Sequence, residues 1–161
     1  MLLDFERRMC EVGGCQVLER TDGEPVLVGY AAVFYDGTPR TEFELYSGLF
    51  ERDIGEDDVR ALFNHSENQI LGRNTAKTLR LTEDKTGLRY EIDLPDTATG
   101  RDVATAVQRG DISGSSFAFR VQREQFTEAD EGATVRDILE VAPLYDVGPV
   151  TYPAYKATSA A

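Results

Sequence analysis

Thr78-Leu79-Arg80-Leu81-Thr82-Glu83-Asp84-Lys85-Thr86-Gly87-Leu88-Arg89-Tyr90-Glu91-Ile92-Asp93-Leu94 reads as a β-hairpin. Two alternating runs, 78–83 and 88–94, flank Asp84-Lys85-Thr86-Gly87, which supplies the turn chemistry. Side chains alternate across a strand, so Leu79, Leu81, Leu88, Tyr90, Ile92 and Leu94 fall on one side and polar residues on the other. The middle of the chain therefore belongs to a sheet with one buried face.

The pattern continues outward. Val26 to Phe34 is a long β-type run bounded by the Asp22-Gly23 and Asp36-Gly37 turns. Gly29 inside it points to a bend or a close backbone contact. Ser47 to Ile54 is predicted as a short helix, capped by Ser47 and stopped by Gly55. Val59 to Asn64 reads as a strand. Downstream, Pro95 ends the hairpin and Thr99 to Gly110 reads as a helix capped by Thr97 or Thr99, with Val103, Ala106 and Val107 on one face. Ile112 to Val121 returns to strand. A polar loop, Thr127 to Gly132, leads to a strand over Thr134–Val141, and a last extended segment runs from Asp146 to Tyr152. The expected fold is mainly β with a few helices (α+β). One domain spans 1–161, with 1–23 as an N-terminal segment and 24–158 as the core. A closed or nearly closed β-barrel flanked by helices is expected, because closure removes the edges that so many strands expose.

With 161 residues the chain can bury a real core. Its formal charge of -12 excludes a nonspecific nucleic-acid binder, which needs a basic surface to displace counterions. The same excess disfavours docking on anionic membranes, and no apolar run is long enough to span a bilayer. Met1 to Arg8 mixes acids and bases, unlike a secretion signal. Protein or peptide partners are left. Cys10 and Cys15 are the only cysteines, expected as reduced structural thiols, with pairing or metal binding as alternatives. No metal and no cofactor is called for.

The chain has one histidine, His65, within Leu62-Phe63-Asn64-His65-Ser66. Any imidazole base must be this residue. An exposed-looking serine cluster, Ser113-Gly114-Ser115-Ser116-Phe117, lies downstream. In a strand through it, Phe117 and Phe119 mark the core side and Ser115 shares that side, whereas Ser116 shares the other with Ala118 and Arg120. Ser116 is thus the better candidate nucleophile and Ser115 the alternative. Taken singly, Gly-Ser-Ser is an ordinary loop-to-strand junction and a lone histidine an ordinary hydrogen-bonded residue.

Several segments together resemble the HK97-type tailed-phage prohead proteases, a family of procapsid-maturation serine proteases related to the herpesvirus assemblins. They are Gly29-Tyr30-Ala31-Ala32-Val33-Phe34, Gly48-Leu49-Phe50, Leu62-Phe63-Asn64-His65, Leu71-Gly72-Arg73, Thr78 to Asp84 with Gly87-Leu88, and Gly110 to Phe119. The closing pattern, Arg136-x-Ile138-x-Glu140-Val141-x-x-Leu144-x-Asp146-Val147-x-Pro149-Val150-Thr151-x-Pro153-Ala154, completes the set. Each motif is weak alone; their order over 24–158 carries the likeness. Ala118 stands where the family usually has glycine, and Gly148 where it often has serine.

The resemblance implies an assemblin-like barrel and a serine endopeptidase with Ser116 as nucleophile and His65 as base. Glu140 and Asp146 both match acidic positions for the third member. Glu140 is favoured, because it lies on an expected strand while Asp146 follows Pro143 and sits past a turn. Phe117, Arg73 and Arg120 are candidates for substrate or oxyanion contacts, with a surface ion pair as the competing role for Arg73. The implied substrates are the scaffold region of the major capsid protein and the protease itself, inside the procapsid in the bacterial host cytoplasm, with room for a homo-oligomer. The competing readings are a catalytically inactive capsid-assembly or peptide-binding barrel, and a cysteine or metal hydrolase built on Cys10, Cys15 and His65.

Overall fold

The computed structural model describes residues 6–10, 14–35, 43–45, 50, 57–128 and 132–152. Its elements are β1 (Glu6–Cys10), β2 (Cys15–Glu19), β3 (Pro25–Val33), β4 (Phe43–Leu45), β5 (Arg60–Leu62), β6 (Ile70–Arg73), β7 (Leu79–Glu83), β8 (Gly87–Asp93), α1 (Ala98–Arg109), β9 (Gly114–Glu128) and β10 (Thr134–Val150). They form two sheets. One has the order β2-β3-β8-β7. The other runs β1-β9-β10-β5-β6, with β4 also paired to β10.

The hairpin forms as its alternation dictates. Leu79 faces Ile92, Leu81 faces Tyr90 and Glu83 faces Leu88. Leu79, Leu88, Tyr90 and Ile92 are buried and Leu81 packs against the core. On the outer face Arg80 donates to both oxygens of Asp93, at 2.8 and 3.0 Å. Asp84 Oδ1 accepts the Thr86 and Gly87 N–H groups and closes the turn. β3 lies beside β8, and Gly29 is the close contact expected of it. A Cβ there would sit 2.6 Å from the Tyr90 hydroxyl oxygen.

The closed barrel is not found: among the described residues each sheet keeps two ends. Closure was expected as the remedy for exposed edges. The edges are instead short and interrupted by charge, as at β7 with Arg80 and Glu83 and at β2 with Glu19, which blunts edge pairing without closure. Residues from both sheets meet in one core, among them Leu27, Tyr90 and Ile92 from one and Phe117, Phe119, Leu144 and Val147 from the other. Where a few helices were expected, α1 is the one helix among the described residues. Thr97 caps it by accepting the Gly100 N–H, and Val103 and Val107 are buried. The helix expected over 47–54 lies outside the described residues, Phe50 excepted.

β10 departs most from the sequence reading. The segments expected at 134–141 and 146–152 are one strand running through Pro143 to Val150. Proline cannot donate to a ladder, so a central strand normally rejects it. Here the β9–β10 register shifts repeatedly between Ile138 and Asp146. Side chains satisfy the displaced backbone: Leu144 N–H donates to Asp57 Oδ2 at 3.0 Å, and Ala142 O accepts from Gln122 Nε2 at 2.6 Å. β9 is also longer than expected and takes in Thr127 and Glu128, placed on sequence in a loop.

Candidate active site

The first turns of β9 sort the two serines. Ser115 faces inward with Phe117 and Phe119, whose rings stack at 4.5 Å. Its Oγ lies 2.6 Å from the Tyr90 hydroxyl. Ser116 faces the other way, and its Oγ lies 2.5 Å from His65 Nε2. Neither serine is exposed, contrary to the appearance of the sequence; both have 0% accessible surface. Strand β9 is central, between β1 and β10, and its small residues are covered.

β10 brings the carboxylate. Asp146 pairs with Ala118, which shares the Ser116 face of β9, and directly opposite residues of a ladder share a face. Asp146 Oδ1 lies 2.5 Å from His65 Nδ1. The side chains of His65 and Asp146 are 7% and 12% exposed, so the pair is largely screened from water.

The histidine arrives from β5, which pairs in parallel with β10 through Arg60–Asp146 and Ala61–Val147. Past β5 the backbone turns through two residues at positive φ, Asn64 at 54° and His65 at 55°. That region costs a non-glycine residue about 1–2 kcal/mol, and asparagine less. A hydrogen-bonded turn offsets the cost: Ser66 N–H donates to Phe63 O, Gln69 N–H to Ser66 O and Phe63 N–H to Gln69 O. The imidazole is thereby set between a strand end and a carboxylate.

This arrangement suits acyl transfer chemically. An Nδ1–H donated to Asp146 leaves the Nε2 lone pair facing Ser116 Oγ, the tautomer that can accept the hydroxyl proton.

The other candidate residues lie elsewhere. Glu140, favoured on sequence as the orienting carboxylate, is 46% exposed and faces Arg123 at 3.8 Å. The irregular ladder explains the exchange. Asp146 was placed past a turn at Pro143, but the strand continues and delivers it to the imidazole. Phe117 puts its side chain into the core, edge-on to Phe50 at 6.2 Å. Arg73 takes the surface role: its Nε and Nη2 donate to Asp58 at 2.8 and 2.6 Å, and this pairing holds the Asp58 carboxyl below its ordinary range. Arg120 is exposed on β9, four residues along from Ser116.

Cys15 lies against the inner side of β9, 3.9 Å from Gly114 O and hydrogen-bonded to Tyr90 and Ser115. Burial pushes its thiol up to about 11 despite those bonds, so it is no thiolate at neutral pH. Ser115 thus separates it from the face that carries His65. The side chain of Cys10 lies outside the described residues. Among the described residues no three His, Cys, Asp or Glu side chains stand close enough to hold a metal.

Sequence reasoning passed over the Tyr90–Ser115 bond and the left-handed turn at Asn64 and His65. The signal for the last was available: asparagine before histidine is a residue type that enters left-handed turns readily.

A family model described as caudovirus prohead serine protease matches residues 15–161. The bacteriophage T4 capsid assembly protease, gp21, is a similar solved structure, with a TM-score of 0.59 at 12% identity over 92% of this chain and 98% of that one. At that identity the likeness speaks to the fold. No curated protein matches the chain.

Proposed function

The chain belongs to the caudovirus prohead serine protease family, and on that premise we propose that Ser116, His65 and Asp146 are its catalytic triad. Its substrates, in this reading, are the scaffold region of the major capsid protein and the protease itself, inside the procapsid within the bacterial cytoplasm. A serine protease that matures capsids is what the family and the fold support.

His65 Nε2 takes the Ser116 proton as Oγ attacks the scissile carbonyl. The same nitrogen then returns the proton to the leaving amine, which breaks the peptide bond and leaves an acyl-enzyme. Water activated by His65 hydrolyses the ester and frees the serine. Asp146 holds the ring in the productive tautomer and stabilises the imidazolium. Asp146 takes the place for which Glu140 was favoured on sequence. Ser116 has no accessible surface in this conformation, so a substrate carbonyl reaches it only after a local opening.

The observation that carries the reading is the unbroken chain Ser116 Oγ–His65 Nε2 and His65 Nδ1–Asp146 Oδ1, 2.5 Å at each link. The test is co-expression with a capsid precursor that retains its scaffold region, read by intact-mass spectrometry. Wild type should trim the precursor and Ser116→Ala should leave it whole. Trimming by Ser116→Ala would end the proposal.

A further inference from the structure

The residue before the histidine is tied down at both ends of its side chain. Asn64 Oδ1 accepts the Thr151 backbone N–H at 2.8 Å, and Asn64 Nδ2 donates to Thr151 Oγ1 at 3.0 Å. The Asn64 backbone N–H donates to Pro149 O at 3.1 Å. The amide can take only one orientation, because a backbone N–H must meet the oxygen. Three bonds thus join one residue to the segment that ends β10.

That residue opens the pair at positive φ, where a side chain is otherwise strained. The strand it is tied to also carries Asp146 and pairs with the strand of Ser116. A link from Asn64 to Thr151 therefore sets the ring of His65 relative to both of its partners. Oδ1 and one of the two Nδ2 protons are engaged on Thr151, which fixes the plane of the amide.

We infer that Asn64 and Thr151 are positioning residues of this protease. They clamp the left-handed turn that aims His65 at Asp146 and Ser116. The inference rests on the triad proposed above. Asn64 and Thr151 are both exposed, so their bonds compete with water, and losing them displaces the ring more than it unfolds the protein.

One histidine in the chain makes the test direct, because histidine-selective 15N labelling of the full chain reports a single imidazole. In wild type Nδ1 should carry the proton and Nε2 should be bare. Asn64→Gly tolerates the turn but lacks the amide. Thr151→Val keeps the shape and backbone N–H but lacks Oγ1, and Thr151→Ser restores a hydroxyl. Asn64→Gly and Thr151→Val should broaden the Nδ1–H signal or mix the tautomers. They should also slow fluorophosphonate labelling of Ser116 about tenfold or more, the scale expected when a catalytic group is misplaced. Thr151→Ser should return both readouts to wild type. Wild-type spectra and labelling in Asn64→Gly and Thr151→Val would overturn the clamp. Should Asn64→Gly fail to fold, the Thr151→Val and Thr151→Ser pair decides. The triad fails separately, and the clamp with it, if wild type holds its proton on Nε2 or if Asp146→Asn leaves the imidazole spectrum unchanged.

Discussion

Gly148 stands directly opposite Ser116 in the β9–β10 ladder. A Cβ at Gly148 would lie 2.1 Å from the backbone oxygen of Leu62, the last residue of β5. The strand that leads to His65 can close on the serine-bearing ladder because position 148 has no side chain. Glycine thus has a packing reason here, and the backbone φ of +154° adds to it.

Gly148→Ala should therefore cost stability and activity together. The clash is with backbone rather than a flexible side-chain end, so relief requires β5 to move. A loss of about 2–4 kcal/mol is expected, within the range for strain at a special backbone position combined with overpacking. Denaturant unfolding measures it. Unchanged stability with full activity would show that β5 has room to shift and that the glycine does not set the site.

The two acidic positions should separate cleanly. Asp146→Asn should lower kcat by roughly 10³–10⁴-fold, because an amide at that place favours the wrong imidazole tautomer. Glu140→Gln should stay near wild type, since an exposed pair with Arg123 at 3.8 Å is worth little. Both variants should fold. A dead Glu140→Gln beside an active Asp146→Asn would transfer the orienting role to residue 140.

Ser115 and Ser116 should also part company. Ser115→Ala removes the 2.6 Å bond to Tyr90, whose hydroxyl keeps its bond with the Cys15 thiol, a loss of about 0.5–1.5 kcal/mol in stability. Cleavage should persist, because Ser115 faces away from His65. Ser116→Ala should be inactive and still folded. Intact-mass analysis of a co-expressed capsid precursor, with thermal unfolding of each variant, gives both readouts.

How much of this was legible in the chain follows from how local each signal is. The 78–94 hairpin could be read because alternation and turn residues lie within seventeen positions, and nothing distant overrides them. The opposite facing of Ser115 and Ser116 could be read because β9 is regular from Gly114 to Phe119, where period-two reasoning holds. That Asp146 rather than Glu140 lies beside His65 could not be read, because the register shifts around Pro143 break that periodicity between Ile138 and Asp146. Barrel closure was misjudged for another reason. Whether β7 or β2 finds a further partner depends on pairing across the whole chain, which alternation within a strand does not encode. The Asn64–Thr151 and Tyr90–Ser115 contacts are likewise long-range and left only residue-type hints.

Cys15 should make stability fall at alkaline pH. Burial, partly offset by hydrogen bonds from Tyr90 and Ser115, pushes the folded thiol up to about 11 from an ordinary value of 9.0. The folded state thus holds this proton more tightly than the unfolded chain does. Its contribution is complete below pH 9 and is lost as pH rises from there through 11, by about 3 kcal/mol at most. Tyrosines also titrate in this range, so the measurement is the difference between wild type and Cys15→Ala in denaturant unfolding at pH 8 and pH 10.5. Cys15→Ala should show the shallower fall. Alkylation of Cys15 in the folded wild type by iodoacetamide at pH 8, read by peptide mass apart from Cys10, should also run roughly a hundredfold slower than for a free thiol. Equal slopes for the two proteins, with ready alkylation, would place the thiol in water and remove it from beneath the serine strand.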